Sequence, residues 1–520
     1  MSNQYKDIVV GGGHNGLVCA AYLARAGRAV LVLEAANDVG GAAKTRSLAG
    51  KARVSAAAHF LYGMPADLVK ELQLESHGLV YAQKSLSTIS LHQHGSVIEI
   101  AGDSVTGEGI SNADKQAYVR FSDDMRRFAR ALGPVFNDLP PELSIETWSQ
   151  RLTLLKLGMK IRGLGRYHMR ELLRIIAMNL YDLLDEYFES SQLKAAIAMD
   201  AVLGGEWGPR SMGTVMTYLY RVAGHERSNG AGIALPEGGM GTVTGAIANA
   251  ARSAGAEIRT GATVARILVE DDRASGVQLE NGEVIHAENV ISNADPKRTF
   301  LELLGTENLD TGFVRQVRNL RSKGRAAKLH LLLNGIPQFR GVAEDKLGSR
   351  LLIAPSMDEI ELAFNPCKYG EYPQRPVWEI SVPSALDRTL CGSGEHVVSA
   401  ILQFLPFDDS ENADARRAAF AKQAVKQLEA FAPGISEQVV AVELLTPADI
   451  EKEFGMSGGH WHHVELALEN FLFNRPTAQL SRHVSPLPGL YLCGAGCHPG
   501  GNVMGIAGRN AAGQVIRGGS

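Results

Sequence analysis

The sequence predicts a mixed α/β and α+β protein: a Rossmann-type parallel sheet extended by a β-meander, assembled from discontinuous segments, with a mixed sheet-and-helix domain inserted between them. Three stretches carry that prediction. Residues 7–34 read as strand, glycine turn, helix, strand, acid. Residues 256–296 read as a meander with an Asn-Gly hairpin, then a return strand. Residues 489–516 read as a strand running into glycines before a closing helix.

Ile8 to Val10 is a short apolar run suited to a buried parallel strand. Gly11, Gly13 and Gly16 then fit G-x-G-x-x-G. The first allows a tight turn, the second lets a pyrophosphate approach the backbone, and the third lets the helix pack on the strand. Leu17 to Ala26 forms that helix and Gly27 follows it as a C-cap glycine, so the helix N-terminus is aimed at a phosphate. Glu34 ends the second strand, where a carboxylate bonds a ribose hydroxyl. Gly40-Gly41, just past the acid, allow a second close approach of backbone to cofactor. The small-residue run Ser55-Ala56-Ala57-Ala58-His59 reads as backbone packed against something flat.

Ser85–Ile100 alternates apolar and polar residues around His94-Gly95, which predicts a hairpin. Lys115–Leu132 is an amphipathic helix that Pro134 to Pro141 breaks. Arg151–Glu189 is a long helical region whose first half carries Arg151, Lys156, Lys160, Arg162, Arg166, Arg170 and Arg174 among leucines. Such a stretch suits a solvated helix face or an anionic membrane surface. Gln192–Leu203 and Met212–Ala223 are further helices. Gly239-Met240-Gly241 and Gly245 invite a second dinucleotide site, which is rejected because Leu235-Pro236-Glu237-Gly238 does not read as a buried strand. The helix Val243–Ala254 leads into the meander, formed by Ala256–Arg259, Thr263–Val269, Ala274–Leu279 and Glu283–His286 with Asn281-Gly282 at a turn. Asn289–Pro296 is the return strand. Ala327–Leu333, Val377–Val382 and Val397–Leu405 belong to a separate sheet, and Arg416–Ala432 is a helix that Pro433-Gly434 terminates.

With 520 residues, 45% hydrophobic and 21% charged, the chain is long enough for more than one domain and has the composition of a globular protein. A net charge of −4 gives no sign of a nucleic-acid partner. The five scattered cysteines point to a reducing compartment, hence a cytoplasmic location, and Cys493-x-x-x-Cys497 is neither a zinc pattern nor a redox C-x-x-C. No apolar run is long enough to span a bilayer and no signal peptide is visible.

The residues Gly11–Glu34, Gly40-Gly41, Val264 in its meander with Asn293-Ala294-Asp295, and Gly494–Gly505 together resemble the FAD-binding domain of the phytoene desaturase and amine oxidase group of flavoproteins. The tail Leu490-Tyr491-Leu492-Cys493-Gly494, His498-Pro499-Gly500-Gly501, Met504-Gly505 and Gly508-Arg509-Asn510-Ala511-Ala512 is specific. With Gly458-Gly459-His460-Trp461-His462-His463 and Arg475-Pro476, it is most similar to the family of pyridine nucleotide-disulfide oxidoreductase domain-containing protein 2. The resemblance implies FAD as cofactor. Gly11, Gly13, Asn15 and Gly16, with His14, hold the pyrophosphate. Glu34, with Ala35, binds the ribose, and Gly40, Gly41 and Ala42 line the ribityl and flavin edge. Val264 meets adenine, with Asn293 nearby, and Gly494, Gly501, Val503 and Met504 lie along the flavin ring. Two positions depart from the pattern: Ala42 stands where many relatives have arginine, and Ala495 where many have an acid. The implied domains are FAD-binding over 1–70, 230–300 and 476–520, and substrate-binding over 71–229 and 301–475, with residues 151–190 as the membrane-surface region.

The flavin implies a dehydrogenase or desaturase that takes hydride from an apolar or amphipathic substrate onto flavin N5. Other readings stay open: a redox-neutral isomerase of a polyene, an amine oxidase, or a flavin-carrying regulatory protein. An amine oxidase ranks lower because it needs aromatic walls and the tail lacks an aromatic pair. His59, His462 and His463 are the candidate acid–base residues. His460, His462 and His463 are not taken as a metal site, since no acid or cysteine is spaced to complete one. A peripheral membrane contact and a homodimer are further expectations.

Overall fold

The computed structural model describes residues 5–141 and 148–518, with side chains described from residue 154 onward in the second segment. At its centre lies a seven-stranded sheet. The strand Tyr5–Val10 pairs in parallel with Val30–Leu33 on one side and with Val284–Ser292 on the other. Leu490–Leu492 adds in parallel to Val284–Ser292, so the chain's last strand joins its first through a strand from the middle of the sequence. Ile8, Val9, Leu31, Val32, Val290 and Ile291 are buried on both sheet faces, as parallel strands require. The helix His14–Arg25 packs between the helices Met240–Ser253 and Ile506–Gly518.

Two details of the meander differ from expectation. Glu257–Arg259 does not belong to it but extends the parallel sheet beside Val30–Leu33. The meander's last strand and the return strand are one continuous element, Val284–Ser292, whose first half pairs antiparallel with Arg273–Leu279 and whose second half pairs in parallel with Tyr5–Val10.

A second sheet of eight strands carries the insertions. Its order is Val439–Leu445, Ala326–Leu333, His396–Gln403, Val377–Ser381, Arg350–Ile353, Thr88–Leu91, Val97–Ala101, Ser104–Gly107. The predicted hairpin is its outer edge. Thr88–Leu91 joins Arg350–Ile353 in parallel, so segment 71–229 is not purely helical but contributes three strands to the sheet of segment 301–475.

The helices show three departures. Asn112–Asn137 continues through Pro134 to the end of the turn, where only one backbone bond is forgone and buried Phe136 packs edge-on against Tyr220 and Phe471. The 151–189 region is three helices, Trp148–Gly163, Gly165–Ile175 and Leu180–Tyr187, rather than one; the side chains of Arg151 and Leu152 lie outside the described residues. Ile233–Pro236 is a buried strand after all, antiparallel between Leu61–Tyr62 and Tyr81–Gln83. Pro236 is accommodated where the register slips at the strand's end. The site that follows it is still no dinucleotide turn: the amides of Met240 and Gly241 donate to Ser55 Oγ and Thr45 Oγ1, so hydroxyls of the same chain occupy that helix N-terminus.

Candidate functional site

The glycine turn is held by its own geometry. Gly11 has φ +98°, and its N–H donates to Leu33 O, locking the turn to the second strand. A Cβ on Gly16 would stand 2.2 Å from Gly11 O, so only glycine lets the helix start this close to the turn. A Cβ on Gly13 would stand 2.8 Å from Asn293 Nδ2, which fits the Asn293 side chain into the turn's concave side. Glu34 accepts the Gly12 amide at Oε2, 2.6 Å, and the Ala36 amide at Oε1, 2.9 Å. Each carboxylate oxygen keeps a lone pair for a further donor. Gly40 donates to Gly12 O and bridges Gly13, so the second glycine pair is docked on the first turn.

A cavity of about 420 Å³ runs from this turn into the molecule. Its near end is walled by Gly11, Gly13, His14, Asn15, Glu34, Ala35, Gly40, Gly41, Ala42, Val264 and Asn293. Further in, the walls are Ala57 to Phe60, His462, His463, Ala495, Asn502 and Val503. His14 is half-buried, with a buried and unpartnered Nε2, and desolvation pulls its pKa down to about 4, with His463 adding to the effect.

Arg475 ties two stretches of this wall together. Fully buried, it donates to Cys497 O, Glu465 O, His462 O, Val464 O and Ala495 O at 2.9–3.3 Å. Burial lowers its pKa to about 10. His462 receives the Trp461 indole N–H at Nε2 and packs on Gly501, where a Cβ would stand 1.8 Å from His462 Nδ1. Burial, with His460 beside it, holds His462 well below its ordinary pKa. His463 has φ +63° and is likewise lowered to about 4 by burial. His460 is bonded to Glu465 at 3.3 Å, and the described residues contain no group of three or more potential metal ligands.

The inner end is a buried charged cluster of which the sequence marks only His59. His59 Nε2 lies 3.0 Å from Glu379 Oε1. Arg350 reaches Glu379 Oε2 at 2.5 Å and stands 2.8 Å from Asp200 Oδ1. Burial raises the Glu379 pKa, but Arg350, His59 and Arg221 outweigh it and hold the carboxyl well below its ordinary range. His59 is pushed down to about 4 by burial and by Lys328. Lys328 is itself fully buried with an unpartnered Nζ, and burial holds it well below the ordinary lysine value. An ionised Glu379 accepts the His59 Nε2 proton, which leaves the Nδ1 lone pair unpartnered.

Four of the sequence-predicted cofactor residues are absent from the cavity wall. Gly16 sits beneath the turn. Gly494 packs on the Asn293 carbonyl, with only 2.7 Å for a Cβ. Gly501 backs His462 rather than facing the cavity, and Met504 is buried against Tyr220 and Arg227. Their neighbours Ala495, Asn502 and Val503 face inward instead. All three candidate histidines, His59, His462 and His463, are on the wall. Aromatic walls exist too, but Phe60, Tyr62 and Trp461 supply them rather than the tail. Lys328, Arg350 and Glu379 were missed. The usable signal was an ionisable residue inside an apolar strand, as in Ala326–Leu333 and Val377–Ser381. Arg221 carries no such mark, because it stands on the helix Thr214–Arg227.

The five cysteines are free. Burial raises the Cys493 thiol well above its ordinary value and Cys497 to about 12, so neither is poised as a thiolate.

A family model described as flavin containing amine oxidoreductase matches residues 16–516. The chain is 32% identical to the rat pyridine nucleotide-disulfide oxidoreductase domain-containing protein 2, over 99% of this chain and 94% of that protein. It is 26% identical to a limonene dehydrogenase subunit of Castellaniella defragrans, over 98% and 94%. Among solved structures, an oxidoreductase from Methanosarcina mazei shares the fold with a TM-score of 0.60 at 17% identity, over 98% of this chain and 100% of that one.

Proposed function

The chain belongs to the flavin-containing amine oxidoreductase family and is an FAD-dependent oxidoreductase, and we propose that it is a dehydrogenase or desaturase acting on an apolar or amphipathic organic substrate held in the cavity's inner half. One observation carries this reading. A single cavity joins the glycine turn and Glu34 to the buried cluster of His59, Glu379 and Arg221.

The residues present fit FAD. Gly11, Gly13 and Gly41 bring bare backbone to the cavity wall at the head of a helix, and Glu34 presents two oxygens with spare lone pairs for a ribose. Gly11, Gly13, His14 and Asn15 would hold the pyrophosphate, and Val264 would meet the adenine. Gly40 to Ala42 with Asn502 and Val503 would border the ring system. FAD, when bound, supplies the hydride-accepting centre.

The protein's own part is to bind, to exclude water and to take up a proton. Phe60, Tyr62, Leu203, Ile401 and Trp461 offer an apolar bed for the substrate. His59 is neutral, fixed by Glu379 and open at Nδ1, so it can accept the proton that leaves the substrate as a C–H bond is oxidised. A pKa near 4 makes it a weak base, which suffices where loss of hydride has made the adjacent proton strongly acidic.

Access from a membrane surface is part of the proposal. Leu155, Met159, Tyr167 and Leu173 are exposed among the exposed Lys156, Lys160, Arg162, Arg166 and Arg170 on two consecutive helices. No helix among the described residues is long and apolar enough to cross a bilayer. Free, mostly buried cysteines fit a reducing, cytoplasmic setting.

Anaerobic photometry tests the reading. A panel of apolar alcohols, acids, alkenes and amines is mixed with the flavin-loaded protein. Bleaching of the visible flavin absorbance by at least one member is expected. A flavin that chemical reductant bleaches but no organic substrate does would favour a non-catalytic flavin carrier.

A further inference from the structure

Building on the flavoenzyme reading above, we infer that the substrate carries a carboxylate on its apolar body and that Arg221 anchors it. The inner cluster holds two arginines and two carboxylates, and their pairing is unequal. Arg350 lies 2.5 Å from Glu379 and 2.8 Å from Asp200. Glu379 is also bonded to His59, and Asp200 also accepts the Tyr62 hydroxyl at 3.3 Å. Glu379 is therefore hydrogen-bonded without Arg221, and Asp200 is held by the Tyr62 hydroxyl and by an ion pair with Arg350 that is closer than either of Arg221's.

Arg221 stands farther off, with Nε 3.6 Å from Asp200 and Nη2 3.9 Å from Glu379. Those distances exceed a hydrogen bond, and its buried Nε has no hydrogen-bond partner. The guanidinium lies 3.0 Å from the centre of the Tyr62 ring. Stacking holds the group by its face and leaves the in-plane N–H edge available to a planar acceptor. Arg221 is 11% exposed, and it lines the cavity.

A cation with spare donors, fixed in a pocket shielded from water, selects an oxyanion. The fork matches a carboxylate in particular, with which it forms paired, charge-assisted bonds. Leu203, Ile401 and Phe60 on the neighbouring wall suit the apolar remainder of such a molecule. An alkylammonium head would instead meet two guanidinium groups and find Asp200 and Glu379 already taken.

The test titrates the purified, flavin-loaded full-length protein by calorimetry with octanoate, octan-1-ol and octylamine. Octanoate is expected to bind about tenfold or more tightly than either of the others, the size of one charge-assisted bond. Arg221→Met should remove that advantage while leaving octan-1-ol affinity unchanged, and Arg221→Lys should retain part of it. Octanoate binding no tighter than octan-1-ol, or equally tight in Arg221→Met, overturns the inference. If Arg221→Met does not fold, the wild-type panel and Arg221→Lys decide: an undiminished octanoate affinity in the lysine variant refutes the fork. Flavin content is read separately. Protein that holds flavin and is bleached by other substrates but shows no octanoate preference overturns this inference alone. Protein that prefers octanoate through Arg221 yet never reduces its flavin contradicts the oxidoreductase reading instead.

Discussion

Replacing Arg475 probes how the cavity wall is built. Its guanidinium bonds five carbonyls from two chain segments, residues 462–465 and 495–497, and both segments border the cavity. Arg475→Met removes every donor and leaves those carbonyls buried. An unsatisfied buried acceptor costs about 1–3 kcal/mol, but the five are not independent, because three share Nη2. Removing the buried cation also recovers the desolvation that lowers its pKa to about 10. The net loss should therefore be about 2–4 kcal/mol, the cost of one or two unsatisfied buried acceptors after that recovery. That is a large share of the ~5–15 kcal/mol that holds most folded domains. Arg475→Lys is the sharper variant. It keeps the charge, but three donors on one nitrogen cannot span two segments. Thermal melting of the flavin-loaded protein, with free flavin fluorescence followed in the same scan, should show both variants melting below wild type and releasing flavin earlier. A lysine variant that melts and releases flavin as wild type does would refute the role of the fork.

Glu34→Gln places an amide NH₂ against one of two N–H donors, Gly12 or Ala36, and removes the charge. FAD affinity of the apoprotein, read by fluorescence titration, should fall by about ten- to hundredfold; an unchanged affinity would remove Glu34 from the site. Gly501→Ala drives a methyl into His462, 1.8 Å from Nδ1, so turnover should fall about tenfold or more while the fold is retained, and wild-type turnover would contradict the packing. His14, His59, His463 and His483 all have pKa values lowered to about 4 by burial, from an ordinary 6.5. The unfolded chain takes up protons first as pH falls, so stability is flat above pH 6.5 and declines from there toward pH 4. Each histidine contributes up to about 1.4 kcal/mol per pH unit. Urea midpoints at pH 7 and pH 5 should differ clearly; equal midpoints would mean these rings are not buried as neutral groups.

The near half of the cavity was legible because its chemistry is local. Gly11, Gly13, Gly16 and Glu34 lie within one strand–helix–strand unit, where spacing alone implies geometry. The tail glycines were legible as a group but not singly. Which of Gly494, Ala495, Gly501, Asn502 and Val503 faces inward depends on packing against Asn293 and His462, which spacing does not reveal. The inner cluster was hidden for a different reason. Asp200, Arg221, Arg350 and Glu379 come from two helices and two strands far apart in the chain, and only the eight-stranded sheet and its covering helices bring them against His59, the one member the sequence marked. The expected meander likewise failed where one strand, Val284–Ser292, serves antiparallel and parallel neighbours in turn, because alternation of residues reports burial, not pairing.

The most direct measurement is the flavin itself. Full-length protein is purified, its visible spectrum recorded, and the released cofactor identified and counted after denaturation. A yellow protein with about one FAD per chain, bleached anaerobically by an apolar or amphipathic substrate, is the predicted result. A colourless protein that takes up no FAD on reconstitution would contradict the flavoenzyme assignment at its root.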